Sequence, residues 1–264
     1  MKRRTFVQQL GMSALALGTG TLRLDNPLGR RPSHLVTFSF DDGFKKSFLE
    51  AARIHEQHGL SGCFNVIASA HLPEFVEPDD YIKKHLMGDF DTWNSLQDRG
   101  HEVMVHSWAH NNLARLPEER AKKLIDKSLD YFEKHLDGFK RKDAIFNFPF
   151  NASTPALEDH TLAQVRAIRT GGNWDVNPFP TAETRRLSCV IYPRPGNGDA
   201  WVENHVNTFL ENEQGGWLIV NTHGLGDEGW GPISAAYLDK LLGRLVKLAQ
   251  VEVLNVTQVL DKYA

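Results

Sequence analysis

Short apolar runs alternate with longer amphipathic ones along most of this 264-residue chain, and that alternation restricts the fold more than any other feature. The runs HLVTFSF, GCFNVIA, HEVMVHS, AIFNFPF, AIRTGG, LSCVIYP, WLIVNTH and VEVLNVT are bounded by Gly, Pro, Asn or Asp and read as strands. Between them KKSFLEAARIHEQHG, EERAKKLIDKSLDYFEKHLDG and SAAYLDKLLGRLVKLAQ repeat apolar residues at helical spacing, the second with Gly138 as its stop. Strand and helix in alternation build a mostly parallel sheet covered by helices, an α/β fold, and seven or eight strands over this length suit a barrel. A hydrophobic share of 41% and a charged share of 24% are ordinary for a globular chain. A formal net charge of -3 offers no basic field for nucleic acid or anionic lipid.

The first residues read as an address. Lys2, Arg3 and Arg4 precede Thr5, Phe6 and Val7 and then a short, weakly apolar stretch, LGMSALALG, which resembles a twin-arginine export signal. That stretch falls short of the ~20 apolar residues of a membrane span, so no stable span is expected in the mature protein. Residues 1–32 are expected to be signal and linker and 33–264 the catalytic domain, exported to the periplasm or secreted. Cys63 and Cys189 both lie in apolar runs and are expected to behave as small buried hydrophobes.

In a parallel barrel the working residues collect where strands end and loops begin. Asp41 and Asp42 end the first strand at Gly43, His106 ends the third, and His223 ends WLIVNTH. Taken alone, Asp-Gly at a strand end is an ordinary turn. His106 and His110, four residues apart, would share one face if that segment turns helical. Asp42 with these two imidazoles offers one oxygen and two nitrogens and leaves room for water and substrate, an open site for zinc, with cobalt or nickel as alternatives. Asp41 would then act as general base. The remaining histidines, His34, His55, His58, His71, His85, His101, His135, His160 and His205, are expected at the surface or at caps.

SFDDG, HSWAH after GHEV, and THG after an apolar strand occur in that order and resemble the successive motifs of the polysaccharide deacetylases, the NodB-homology enzymes of carbohydrate esterase family 4. The likeness runs from about His34 to the C-terminus. It implies a distorted barrel of seven or eight parallel strands and the hydrolytic removal of acetyl groups from sugars. It also implies Asp41 as catalytic base, Asp42, His106 and His110 as metal ligands, His223 as general acid, and the backbone N–H of Phe150 as oxyanion donor.

Two positions depart from the family pattern. Asn147 stands where an Arg usually charges the base, so the Asp41 carboxyl is expected to lean on the metal, with Arg166 or Arg169 as other suppliers of charge. Asn173 stands where an Asp usually supports the catalytic His, and Asp175, two residues on, is the alternative. Trp174 and Trp230 are expected to contact substrate, and Trp217 to fill the core. Two other readings stay open: hydrolysis of another small amide, and carbohydrate binding without turnover.

Overall fold

The computed structural model describes residues 32–171 and 176–264. Its elements follow one another as β1 (His34–Phe40), α1 (Lys45–Gln57), β2 (Cys63–Val66), α2 (Phe90–Asp98), β3 (Glu102–Val105), α3 (Glu118–His135), β4 (Ile145–Asn147) and α4 (Pro155–Leu162). β5 (Ala167–Arg169), β6 (Arg186–Leu187), β7 (Val190–Ile191), α5 (Asp199–Glu211), β8 (Gly216–Thr222), α6 (Ala235–Leu245), β9 (Val251–Val253) and α7 (Val256–Tyr263) complete it. No helix among the described residues is long and apolar enough to cross a membrane. The export signal expected before Ser33 lies outside the described residues.

β1 and β8 are buried at every position, as the central strands of a sheet covered on both faces must be. They run parallel from His34 opposite Gly216 to Phe40 opposite Thr222. From β1 the sheet continues through β2, β3, β4, β5 and β6 on one side and through β8 and β7 on the other, while β9 pairs with β1. β6 and β7 follow each other in the chain yet pair at opposite edges, Arg186 with Ile168 of β5 and Val190 with Val220 of β8. The stretch between them therefore spans the seam of the distorted barrel. Asn177 fastens it, donating to the Ser188 carbonyl and accepting from the Ser188 N–H, both at 2.8 Å. The expected single strand LSCVIYP is thus divided, so nine strands stand where seven or eight were expected.

Alternation along the strands sorts residues into two populations. Val36, Phe38, Phe40, Phe64, Val66, Val103, Val105, Phe146 and Val220 pack with Phe48, Ala51, Leu129 and Leu238 of the helices in one large core. On the opposite faces Leu35, Cys63, Ile145, Ala167, Leu187, Trp217 and Ile219 form a second cluster, packed on Val256, Val259 and Leu260 of α7. Continuing toward the C-terminal strand ends, those same faces turn polar, with Ser39, Asn65, Asn147, Arg169 and Asn221 all buried. The apolar cluster closes one end of the barrel, and the polar layer forms the floor of the other.

α1, α3 and α6 coincide with the three helices expected from periodicity, although α3 ends at His135, before Gly138. VEVLNVT is corrected, since only Val251–Val253 is strand and α7 begins at Val256. His34, His55 and His101 are corrected too, from surface to interior. Their buried rings find partners in the Asn212 carbonyl, the Ala51 carbonyl and the Glu56 carboxylate respectively.

Candidate active site

Asp41 continues the inward face of β1 into the polar layer and is 2% exposed. Asn65 donates to its Oδ1 at 2.8 Å and Asn221 to its Oδ2 at 3.0 Å. Arg169 grips both oxygens, with Nη1 to Oδ1 at 3.1 Å and Nη2 to Oδ2. Burial works against the charged carboxylate, but the guanidinium of Arg169, with His106 and His223, overrides burial and holds Asp41 well below the usual carboxylate range.

The charge that the Asn147 position lacks is therefore supplied by the neighbouring strand. Asn147 and Arg169 are register partners across β4 and β5. Asn147 instead donates through Nδ2 to Asn65 Oδ1 at 2.8 Å, which orients the Asn65 amide toward Asp41. The expectation that Asp41 leans chiefly on a metal is thus corrected: its counter-charge is Arg169. Arg166 plays no part, because it pairs with exposed Asp261.

Simple alternation would send Asp42 to the outer face. Its φ of 80° turns it back, so both carboxylates enter one cavity. Asp42 Oδ1 is buried without a hydrogen-bond partner. It lies 3.5 Å from His106 Nε2 and 3.3 Å from His110 Nε2. The HSWAH segment reaches this arrangement through a tight turn with positive φ at Ser107 and His110, and not through the helical turn expected. His106 is oriented by its other nitrogen, Nδ1 donating to the Asn147 carbonyl at 2.9 Å, which leaves Nε2 as a lone-pair donor.

Burial lowers His106 to about 4 despite the nearby Asp41 carboxylate. Burial, and then His106, also lowers His110 well below its ordinary value. Burial and the Asp41 charge push Asp42 well above its ordinary value. Two neutral imidazoles facing a carboxylate oxygen that lacks a donor make a set suited to a divalent cation, and these three side chains come within 4.8 Å of one another at their ligand atoms.

His223 opens the loop after β8. Its Nδ1 donates to the Trp230 carbonyl, while Asp175, the expected support, lies outside the described residues. Gly229 permits that return, since a Cβ there would stand 2.7 Å from His223 Cβ. Glu228 anchors the loop by accepting from the Ser47 N–H at 3.2 Å, at the start of α1. Burial lowers the pKa of His223.

The cavity above these groups measures about 350 Å³. Among the described residues it is lined by Asp41, Asp42, His106, His110 and His223 together with Asp79, Tyr81, Ile82, Phe150, Asn151, Ile191, Asn221 and Trp230. Phe150 sits at the rim, 56% exposed, with φ of 59° and its ring 4.7 Å from that of His110. Trp230, expected to contact substrate, lines the cavity, Trp217 is core as expected, and Trp201 packs on His205 away from the cavity. Trp174 and Asp175 lie outside the described residues. Sequence reasoning missed Asn65, Asn221 and Asp79. The polar inward position in GCFNVIA was the available signal for Asn65.

Residues 29–166 match the family model of the polysaccharide deacetylases. No curated protein matches the chain. Among solved structures, the chain is similar to peptidoglycan deacetylase PdaC from Bacillus subtilis at 18% identity and TM-score 0.55, covering 90% of this chain and 93% of that one. It is also similar to a family 4 carbohydrate esterase from Streptomyces lividans at 14% identity and TM-score 0.54, covering 85% and 92%. A CE4 family pseudoenzyme from Bacillus anthracis matches at 14% identity and TM-score 0.55, covering 88% and 67%. The chain belongs to the polysaccharide deacetylase family, the NodB-homology hydrolases of carbohydrate esterase family 4 that act on amide or ester bonds.

Proposed function

We propose that this protein removes acetyl groups, N-linked or O-linked, from a carbohydrate, with Asp41 as general base and His223 as general acid. One observation carries the reading: Asp41 is buried and gripped on both oxygens by Arg169, beside an Asp42 oxygen that has no donor. Asp42, His106 and His110 would hold a divalent ion, zinc first for one oxygen and two imidazoles, with cobalt or nickel as substitutes. When bound, such an ion polarises the acyl oxygen and makes water more acidic, which so weak a base as Asp41 requires.

Asp41 accepts the proton of the attacking water. The Phe150 N–H donates to the oxygen on which negative charge develops. His223, whose Nδ1 donates to the Trp230 carbonyl, acts as general acid in its imidazolium form, the proton on Nε2 passing to the departing amine or alcohol and leaving the neutral ring. Ile82, Ile191 and Trp230 give the cavity an apolar wall. Residues 1–32 serve as a twin-arginine export signal and linker, and 33–264 as the catalytic domain, acting in the periplasm or outside the cell. The Lys2–Arg4 segment followed by LGMSALALG supports this.

Acetate release from chitooligosaccharides, peptidoglycan and acetylated xylan, with and without added zinc or cobalt, tests the reading. Release from at least one is expected, and Asp41→Asn should lower it by a factor of roughly 100 or more. A metal-loaded protein that releases nothing from any acetylated glycan would overturn it.

A further inference from the structure

The cavity holds a third carboxylate that the reaction does not use. Asp79 comes from the loop between β2 and α2, and its Oδ1 accepts from the N–H groups of Tyr81 and Ile82 at 2.8 and 2.9 Å. No hydrogen bond or ion pair with a described residue reaches its Oδ2. The frame around it is braced. The Tyr81 ring meets Trp230 edge to face, with centroids 4.9 Å apart at 85°. Trp230 in turn donates from Nε1 to the Tyr192 carbonyl at 3.1 Å. At the base of the loop the Gly88 N–H donates to the Gly43 carbonyl at 3.0 Å. Asp79 is thus held against the cavity by two loops joined through an aromatic pair, together with the buried, donor-less Asp42 Oδ1.

Two consequences follow from charge and size. About 350 Å³ is near the low end of the ~300–1,000 Å³ that hold small ligands, which leaves room for one sugar ring and its acyl group. A half-buried carboxylate oxygen among Ile82, Ile191 and Trp230 gains from a donor that arrives with the ligand. A ligand carboxylate, by contrast, would stand against the negative charge of Asp79, which no described cation pairs, whereas Asp41 has Arg169 as its counter-charge.

We propose that Asp79 is a specificity-determining residue: it accepts hydrogen bonds from hydroxyl or ammonium groups on the acylated ring and turns away rings that carry a carboxylate. The proposal rests on the deacetylase reading for its choice of sugars. N-acetylglucosamine, N-acetylmuramic acid and the methyl ester of N-acetylmuramic acid separate charge from bulk, because acid and ester have nearly the same shape. Asp79→Asn suits the test, since Asn keeps the Oδ1 acceptor of the loop.

Dissociation constants from saturation-transfer NMR need no turnover and are read beside KM and kcat for acetate release. In the wild type the acid should bind roughly tenfold or more weakly than its ester, and Asp79→Asn should bring the two within about threefold. The change is expected in KM, with kcat for each sugar moving less. Equal binding of acid and ester by the wild type, or an unchanged gap in Asp79→Asn, would overturn the proposal. If no acetylated glycan releases acetate while the binding gap closes in Asp79→Asn, the deacetylase reading falls and this one stands.

Discussion

Among the described residues, the non-glycine positions with positive φ are Asp42, Ser107, His110, Phe150 and Asn151, and all of them sit on the three turns that build the candidate site. Each such conformation costs about 1–3 kcal/mol and persists only where its surroundings enforce it. Asp42, Ser107 and His110 shape the triad, and Phe150 and Asn151 shape the rim. The triad itself was legible because SFDDG and HSWAH are contiguous motifs whose side chains converge from turns. Arg169 was less legible. It lies 128 positions from Asp41, and only the register of β4 and β5 shows that it replaces the charge missing at Asn147. Arg169→Met leaves a buried carboxylate without a cation, so the unfolding free energy should fall by about 3 kcal/mol and kcat by roughly 10- to 100-fold. Urea denaturation and acetate release check both numbers, and Arg169→Lys should recover part of each. Wild-type stability in Arg169→Met would contradict the pairing.

At the scale of elements, three of the four longest helices were readable, whereas α5 and the short ones were not. α1, α3 and α6 repeat apolar residues over several turns. α2 and α4 offer only nine and eight residues, and α4 starts at Pro155, so its pattern carries little signal. α7 was hidden by its valines, which favour strand locally, while its start is set by polar groups. Asn255 accepts from the Gln258 N–H at 2.8 Å, and the Gln258 side chain returns to the Asn255 N–H at 3.1 Å, a capping box. Glu102 adds bonds to the N–H groups of Val256 and Thr257 at 3.1 and 2.8 Å. Since α7 closes the barrel end opposite the site, Asn255→Ala should lower stability by about 1 kcal/mol. Amide exchange should speed first in α7, with the site unchanged, and uniform exchange across the barrel would show that α7 is not separately capped.

Across the whole molecule, the barrel and its polar face were foreseeable from strand alternation, whereas the seam was not. LSCVIYP reads as one strand, and its division between two sheet edges is a matter of closure geometry, which local sequence does not encode. Burial of histidines was equally hidden. His55, on α1, donates from Nδ1 to the Ala51 carbonyl at 2.7 Å, and burial, partly offset by that bond, lowers it from 6.5 to about 4. As pH falls, the unfolded chain takes up this proton near 6.5, but folded His55 stays neutral until about 4. Stability that is complete above 6.5 is therefore lost between those values, by about 3 kcal/mol from this group. His55→Asn keeps a donor for Ala51 and removes the titration. Its unfolding free energy should vary less between pH 6.5 and 4 than that of the wild type, with His106, also at about 4, supplying part of the remaining slope. Parallel curves would contradict this account of the interior.

Metal content measured by mass spectrometry on wild type, His106→Ala and Asp41→Asn, purified from zinc-supplemented cells, tests the central claim most directly. Asp42, His106 and His110 as ligands and Asp41 as base require about one ion per chain in wild type and Asp41→Asn, with the ion lost in His106→Ala. Equal metal in His106→Ala and wild type, or none in any of the three, would contradict it.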